Sequence, residues 1–171
     1  PFLSKKVQII NNGGHLFFKN PVTRIPSAKV IIMSVGRLHP SKNYETAINA
    51  LVLIKDLDFE YWIAGVGELE EELKDQVEHL GLQNKVKFLG YVSDIPSLLK
   101  KGDIFLIPSQ WEGFGLAAVE AMNASLPCVI SNVPGLGDLI NKDGEDAFLV
   151  APSDEQIIAE RLKQLVENKN I

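Results

Sequence analysis

Ile104-Phe105-Leu106-Ile107-Pro108-Ser109-Gln110-Trp111-Glu112-Gly113-Phe114-Gly115-Leu116-Ala117-Ala118-Val119-Glu120-Ala121-Met122 reads as a strand, a loop and a helix in turn. Its first four residues are apolar without alternation, the mark of a strand covered on both faces, as in a parallel sheet. The loop sets two glycines around a phenylalanine, and the helix that follows is built of small residues. Working outward, runs of strand length recur at Lys29 to Val35, Phe59 to Ala64, Val86 to Leu89, Pro127 to Ser131 and Ala147 to Val150. Helical patterns lie between them. Tyr44 to Ile54 places Ala47, Ile48, Leu51 and Ile54 on one face, and Glu68 to Leu80 gathers Leu69, Leu73, Val77 and Leu80 before Gly81. Ile95 to Lys101 follows the capping candidates Ser93 and Asp94, Leu116 to Ala124 is rich in alanine, and Ser153 to Asn168 closes the series. Strand–helix alternation predicts an α/β domain with a doubly wound parallel sheet and right-handed crossovers. Ligands of such sheets bind at the carboxyl ends of the strands.

Composition bounds the function. The 171 residues are 46% hydrophobic, enough for one domain over residues 1–171 that buries roughly 70% of its unfolded surface without disulfide or metal. Twenty-two acidic residues against 17 basic ones leave a net charge of −5, which excludes a nucleic-acid binder driven by bulk charge. Any anion site must therefore be local. The one cysteine, Cys128, follows Pro127 in an apolar strand and reads as core. No run approaches the roughly 20 apolar residues of a membrane span, and no signal peptide opens the chain. A reducing, cytoplasmic setting fits. The chain opens on Pro1, is strand-like at Val7-Gln8-Ile9-Ile10, and turns at Asn11-Asn12-Gly13-Gly14. It reads as trimmed at its ends or cut from a longer chain.

Four strand-end loops carry the candidate chemistry. After Val35, Gly36 permits a sharp turn, and Arg37 and Lys42 put two cations into one loop before a helix start. A bidentate fork, a mobile ammonium and free helix amides suit a di-anion such as pyrophosphate. The same residues also suit a solvated loop with ordinary surface cations. Gly65-Val66-Gly67-Glu68 lacks the GxGxxG pattern, and Lys87 stands where a dinucleotide fold wants an acid roughly 20 residues on. It reads as a tight turn into a helix. Gly90-Tyr91-Val92-Ser93-Asp94 could present a ring and backbone groups to a flat ligand, or form only a capped loop.

The fourth loop is the most informative. Glu112 and Glu120 stand eight positions apart, two helical turns plus about 80°, so they do not share a stripe. Glu112 lies where helix amides stabilise a carboxylate. Glu120 lies among alanines, valine and methionine and needs a partner there, which ribose hydroxyls or a structural cation would supply.

Ser34-Val35-Gly36-Arg37 with Lys42-Asn43, Ile63-Ala64-Gly65 with Gly67, Phe88-Leu89-Gly90, Pro108-Ser109 with Glu112-Gly113-Phe114-Gly115, Glu120-Ala121-Met122, Pro127 and Val133-Pro134-Gly135 follow one another in order. Together they closely resemble the C-terminal, donor-binding half of retaining glycosyltransferases with the GT-B fold, the group 1 or family four enzymes. The resemblance covers essentially the whole chain. It implies a Rossmann-like domain that binds a nucleoside-diphosphate sugar, facing an N-terminal acceptor domain absent from this chain, so that the isolated domain is inactive.

Carried over by position, the resemblance makes Arg37 and Lys42 the pair that holds the diphosphate and stabilises the leaving group. Glu112 becomes the acid at the donor sugar, and Glu120 the acid on the ribose. Phe114, Gly115 and Leu116 meet the diphosphate or sugar through backbone N–H groups, Gly36 joins the donor-binding residues, and Tyr91 and Val92 pack on the base. Asn12 and Gly13 match the turn that opens the domain. The resemblance also implies no metal or other cofactor, with a UDP-sugar or GDP-sugar as donor, and membrane contact only through the missing half, peripheral to an inner membrane face.

Two departures stand out: Ser125 where glycine is usual, and Gly137-Asp138 after Pro134-Gly135, which puts a ligand role for Asp138 in doubt. A sugar-nucleotide epimerase half and a non-catalytic nucleotide-sugar sensor are the alternative readings. His15 and His39 read as loop histidines, Trp62 and Trp111 as packing.

Overall fold

The structure is a computed structural model and describes residues 27–168. The strand expected at Val7–Ile10, the Asn12-Gly13 turn and His15 lie outside the described residues. Among the described residues, six parallel strands form one sheet: β1 (Val30–Val35), β2 (Phe59–Ala64), β3 (Val86–Gly90), β4 (Ile104–Ile107), β5 (Cys128–Ser131) and β6 (Phe148–Val150). Their order is β3-β2-β1-β4-β5-β6. The chain winds outward one way from β1 to β3, then returns to set β4 on the other side of β1. The crevice between the carboxyl ends of β1 and β4 is therefore the topological switch point, where ligands of open α/β sheets bind.

Five α-helices of the described residues cover the sheet: α1 (Tyr44–Val52), α2 (Glu70–His79), α3 (Ile95–Leu99), α4 (Leu116–Asn123) and α5 (Glu155–Glu167). Each apolar stripe read from the sequence faces the sheet. Ala47, Ile48 and Leu51 of α1, Leu73 and Val77 of α2, and Ile158, Leu162 and Val166 of α5 pack on one side, against Ile32, Tyr61 and Leu106. Leu98 and Leu99 of α3 and Ala118 and Ala121 of α4 pack on the other, against Met33, Phe105 and Ile130. β4 and β5 are buried at every position, as their unbroken apolar runs require.

Differences from the expected boundaries fall at the ends. Helix α2 starts at Glu70, because Glu68 and Leu69 are drawn into contact with the loop after β1, where the Leu69 N–H donates to Leu38 O at 3.2 Å. Asp94 caps α3 by accepting from Ser97 N at 3.0 Å, and Asp154 caps α5 by accepting from Ile157 N at 3.0 Å. Two short 3-10 turns, Pro40–Lys42 and Gly137–Leu139, add to the elements that the apolar pattern predicts. No helix of the described residues is long and apolar enough to cross a membrane.

Candidate functional site

The loop after β1 is fastened to its neighbours on both sides by backbone. Toward β2, the Gly36 N–H donates to Ala64 O at 2.9 Å and the Leu38 N–H to Val66 O at 3.0 Å. A Cβ on Gly65 would collide with Gly36 O, and one on Gly67 would collide with Leu38 O. These two glycines are where the loops after β1 and β2 touch main chain to main chain. The tight turn read from the sequence thus has a tertiary cause. Toward β4, the Gln110 N–H donates to Ser41 O at 2.8 Å. Asn43 reinforces that side from a left-handed backbone at φ 54°, donating its amide to Pro108 O at 3.1 Å and Pro152 O at 2.7 Å.

Arg37 and Lys42 both stand on this rim, yet their side chains turn toward different acids. Lys42 Nζ donates to Glu112 Oε1, and Ser109 Oγ donates to the same oxygen at 3.1 Å. This pair is well shielded, with side chains 24% and 15% exposed. It lies at the switch point in a nearly filled cleft of only about 10 Å³, which Ser34, Tyr44 and Ala117 also line. Arg37 instead lines an open, mostly apolar groove of about 450 Å³, walled by Gly65, Val66, Gly67, Tyr91, Val92 and Ile95. Its Nη2 lies 3.7 Å from Glu68 Oε2, and His39 Nε2 lies 3.7 Å from the other oxygen of Glu68. Groove and cleft share Val35 as a common wall. The two cations are thus brought to one rim but do not share one partner.

The remaining predicted residues fall around these two depressions. Gly36 lies in the groove wall, where Tyr91 stands 79% exposed beside Val92. Gly115, in left-handed backbone at φ 78°, lines the cleft and is the N-cap of α4, so no side chain caps the first amides of the helix. Phe114 is half-buried and Leu116 is exposed. Glu120 is half-buried on α4, one turn on from the cleft-lining Ala117.

Beneath the cleft runs a set of buried hydroxyls. Ser34 Oγ donates to Leu106 O at 2.5 Å, so the Tyr61 hydroxyl, 2.8 Å away, donates to Ser34. The Tyr44 hydroxyl donates to Gly36 O at 3.3 Å. Burial pushes the Tyr44 phenol well above the usual range, and Tyr61 and the Glu112 carboxylate push the same way. Burial also raises Tyr61, against the hydrogen bond with Ser34, which lowers it.

Sequence reasoning missed three residues that shape the site. Glu68 pairs with Arg37, Ser109 holds Glu112, and Asn43 ties three strand-end loops together. Asn43 and Ser109 stand in motifs that carry the resemblance, but their partners, like that of Glu68, are set by tertiary contact. His39, read as a plain loop histidine, has a structural role. Its Nδ1 accepts from Ser41 N at 3.1 Å and caps the 3-10 turn that carries Lys42. Asp138 accepts from Gly135 N at 3.1 Å and so shapes its own turn.

The family model described as "Glycosyl transferases group 1" matches residues 17–171. A curated Escherichia coli protein, UDP-Gal:alpha-D-GlcNAc-diphosphoundecaprenol alpha-1,3-galactosyltransferase, is 33% identical over 172 residues, covering 98% of this chain and 43% of that protein. Among solved structures, Anabaena HepE in complex with UDP and glucose superposes with a TM-score of 0.76 at 29% identity, over 83% of this chain and 40% of HepE. The C-terminal domain of the group 1 glycosyl transferase LpcC from Francisella tularensis superposes with a TM-score of 0.76 at 28% identity, over 82% of this chain and 77% of that domain. This chain spans less than half the length of the curated relative and of HepE.

Proposed function

This chain belongs to the group 1 glycosyl transferases, and from that premise we propose that it is the donor-binding half of a longer retaining transferase that moves a sugar from UDP to an acceptor. One observation carries the reading. The loops after β1 and β4 are locked together at the switch point, and they hold Lys42, Glu112, Ser109 and the uncapped start of α4 around one cleft, with Arg37 on the adjoining wall. UDP is favoured as the nucleotide because HepE was solved with it and the Escherichia coli relative is named for it. The apolar groove beside Tyr91 and Val92 then takes the base, and Glu120 on α4 takes the ribose.

The chemistry follows from charge. Cleaving the bond between a sugar and a diphosphate builds negative charge on the departing oxygen. Fixed cations and amides aimed at that oxygen are the largest lever a protein has. In this reading Arg37, Lys42 and the first amides of α4 supply that charge in place of a metal ion, and Glu112 contacts the hydroxyls of the donor sugar. The acceptor site and the rest of the catalytic apparatus come from the part of the longer protein that this chain lacks. The proposal sets the enzyme in the cytoplasm, against the inner face of a membrane where its acceptor is lipid-linked.

Calorimetric titration of UDP into this chain tests the reading. The chain should bind UDP, and Arg37→Ala should weaken binding by about 1.5–3 kcal/mol, the range for charge-assisted contacts. An unchanged affinity in that variant removes Arg37 from the site. Failure to bind UDP, GDP or ADP overturns the donor-site reading as a whole.

A further inference from the structure

Glu68 is the residue near the site that the proposed chemistry does not use. Its position is not left to a mobile loop. The Leu69 N–H donates to Leu38 O at 3.2 Å, and Gly67 lies against Leu38 with no room for a side chain, so the backbone beside Glu68 is pinned to the loop that carries Arg37. From there its carboxylate reaches two groups of that loop at once. Oε2 lies 3.7 Å from Arg37 Nη2, and Oε1 lies 3.7 Å from His39 Nε2. Glu70, Glu71 and Glu72 follow in the first turn of α2. The guanidinium thus faces Glu68, just before the start of α2, while Lys42 has its own acid in Glu112.

We propose that Glu68 is a positioning residue that sets donor affinity: it holds the Arg37 guanidinium over the groove when no donor is bound, and the incoming diphosphate must take the guanidinium from it. The proposal rests on the donor-site reading, because it needs Arg37 to meet the diphosphate. Its physical basis is competition. A carboxylate 3.7 Å from one Nη of the guanidinium attracts the same positive charge that a phosphate would seek, and so opposes it. Arg37 and Glu68 are 72% and 50% exposed, so water and salt screen their attraction. The pair is loose enough to yield, and removing the acid should tighten binding modestly rather than transform it.

Calorimetric titration of UDP into the whole chain and four variants, Glu68→Gln, Glu72→Gln, Arg37→Ala and the Glu68→Gln/Arg37→Ala double, decides the matter. Glu68→Gln should bind UDP about two- to fivefold more tightly, the span an exposed ion pair supports, and the gain should shrink as salt is raised. Glu72→Gln removes an equal charge from the exposed first turn of α2, the helix that Glu68 precedes, and should leave the affinity at its wild-type value. Glu68→Gln placed on Arg37→Ala should give no further gain, because the guanidinium it releases is absent. Unchanged or weaker binding by Glu68→Gln overturns the proposal. So does an equal gain from Glu72→Gln, which would assign the effect to bulk charge, or an equal gain in the Arg37→Ala background. If the wild-type chain fails to bind UDP while remaining folded, the donor-site reading falls first and this proposal with it.

Discussion

Glu120 shows how much one carboxylate can imply. It is half-buried on a helix whose inner face is Ala118 and Ala121, and it sits one turn beyond the cleft-lining Ala117. In the proposed reading, its carboxylate accepts from two ribose hydroxyls when the donor binds. Glu120→Gln keeps the shape and an acceptor oxygen but loses the charge. It should weaken UDP by about 1–2 kcal/mol, within the range for hydrogen bonds to charged groups, while the affinity for free pyrophosphate, which has no ribose, stays put. Titrating both ligands into the same variant checks this, and equal losses would contradict the ribose role. Lys42 and Glu112 behave differently as a pair: each shields the other, so substitution of either leaves a charge in a poorly exposed place.

At the scale of elements, the turn after α4 offers a stability prediction. Ser125 adopts φ 58°, left-handed backbone that is costly for a residue with a Cβ. It ends α4 in a glycine-type cap, with its N–H donating to Met122 O at 2.9 Å and the Leu126 N–H to Ala121 O at 3.0 Å. Ser125→Gly should therefore raise stability by about 0.5–1 kcal/mol, read as a higher urea midpoint with unchanged UDP binding. A lower midpoint would show that the serine side chain contributes more than its backbone costs.

The elements themselves were legible in the sequence for a simple reason. Buried parallel strands such as Ile104–Ile107 must be apolar at every position, and helices such as α5 must repeat their stripe. The residue class of each strand-end loop was legible too, since sheets of this kind put ligand groups there. Partners were not. Arg37 and Glu68 are 31 positions apart and Lys42 and Glu112 are 70 apart, and nothing local in a sequence says which cation meets which acid. Reading Arg37 and Lys42 as one di-cation placed them correctly on one rim and missed that each faces an acid of its own.

For the molecule as a whole, the sheet order has a consequence for stability. Setting β1 between β2 and β4 buries a row of hydroxyls at the centre of the domain, Tyr61 on Ser34 and Ser34 on Leu106 O, with Tyr44 on Gly36 O nearby. Burial raises both tyrosine phenols above the usual range. An unfolded chain ionises its tyrosines near pH 10, whereas the folded chain keeps these two protonated. Above that pH the unfolded state binds fewer protons than the folded one, so stability falls as pH rises; below it the contribution of the buried phenols is present in full. The urea midpoint should therefore drop steeply between about pH 10 and pH 11.5. Tyr61→Phe should make that drop shallower, because one of the two phenols is gone, at the cost of a somewhat lower midpoint at pH 8, where the hydrogen bond to Ser34 is lost. A variant whose alkaline slope matches the wild type would show that the buried phenols do not govern unfolding at high pH.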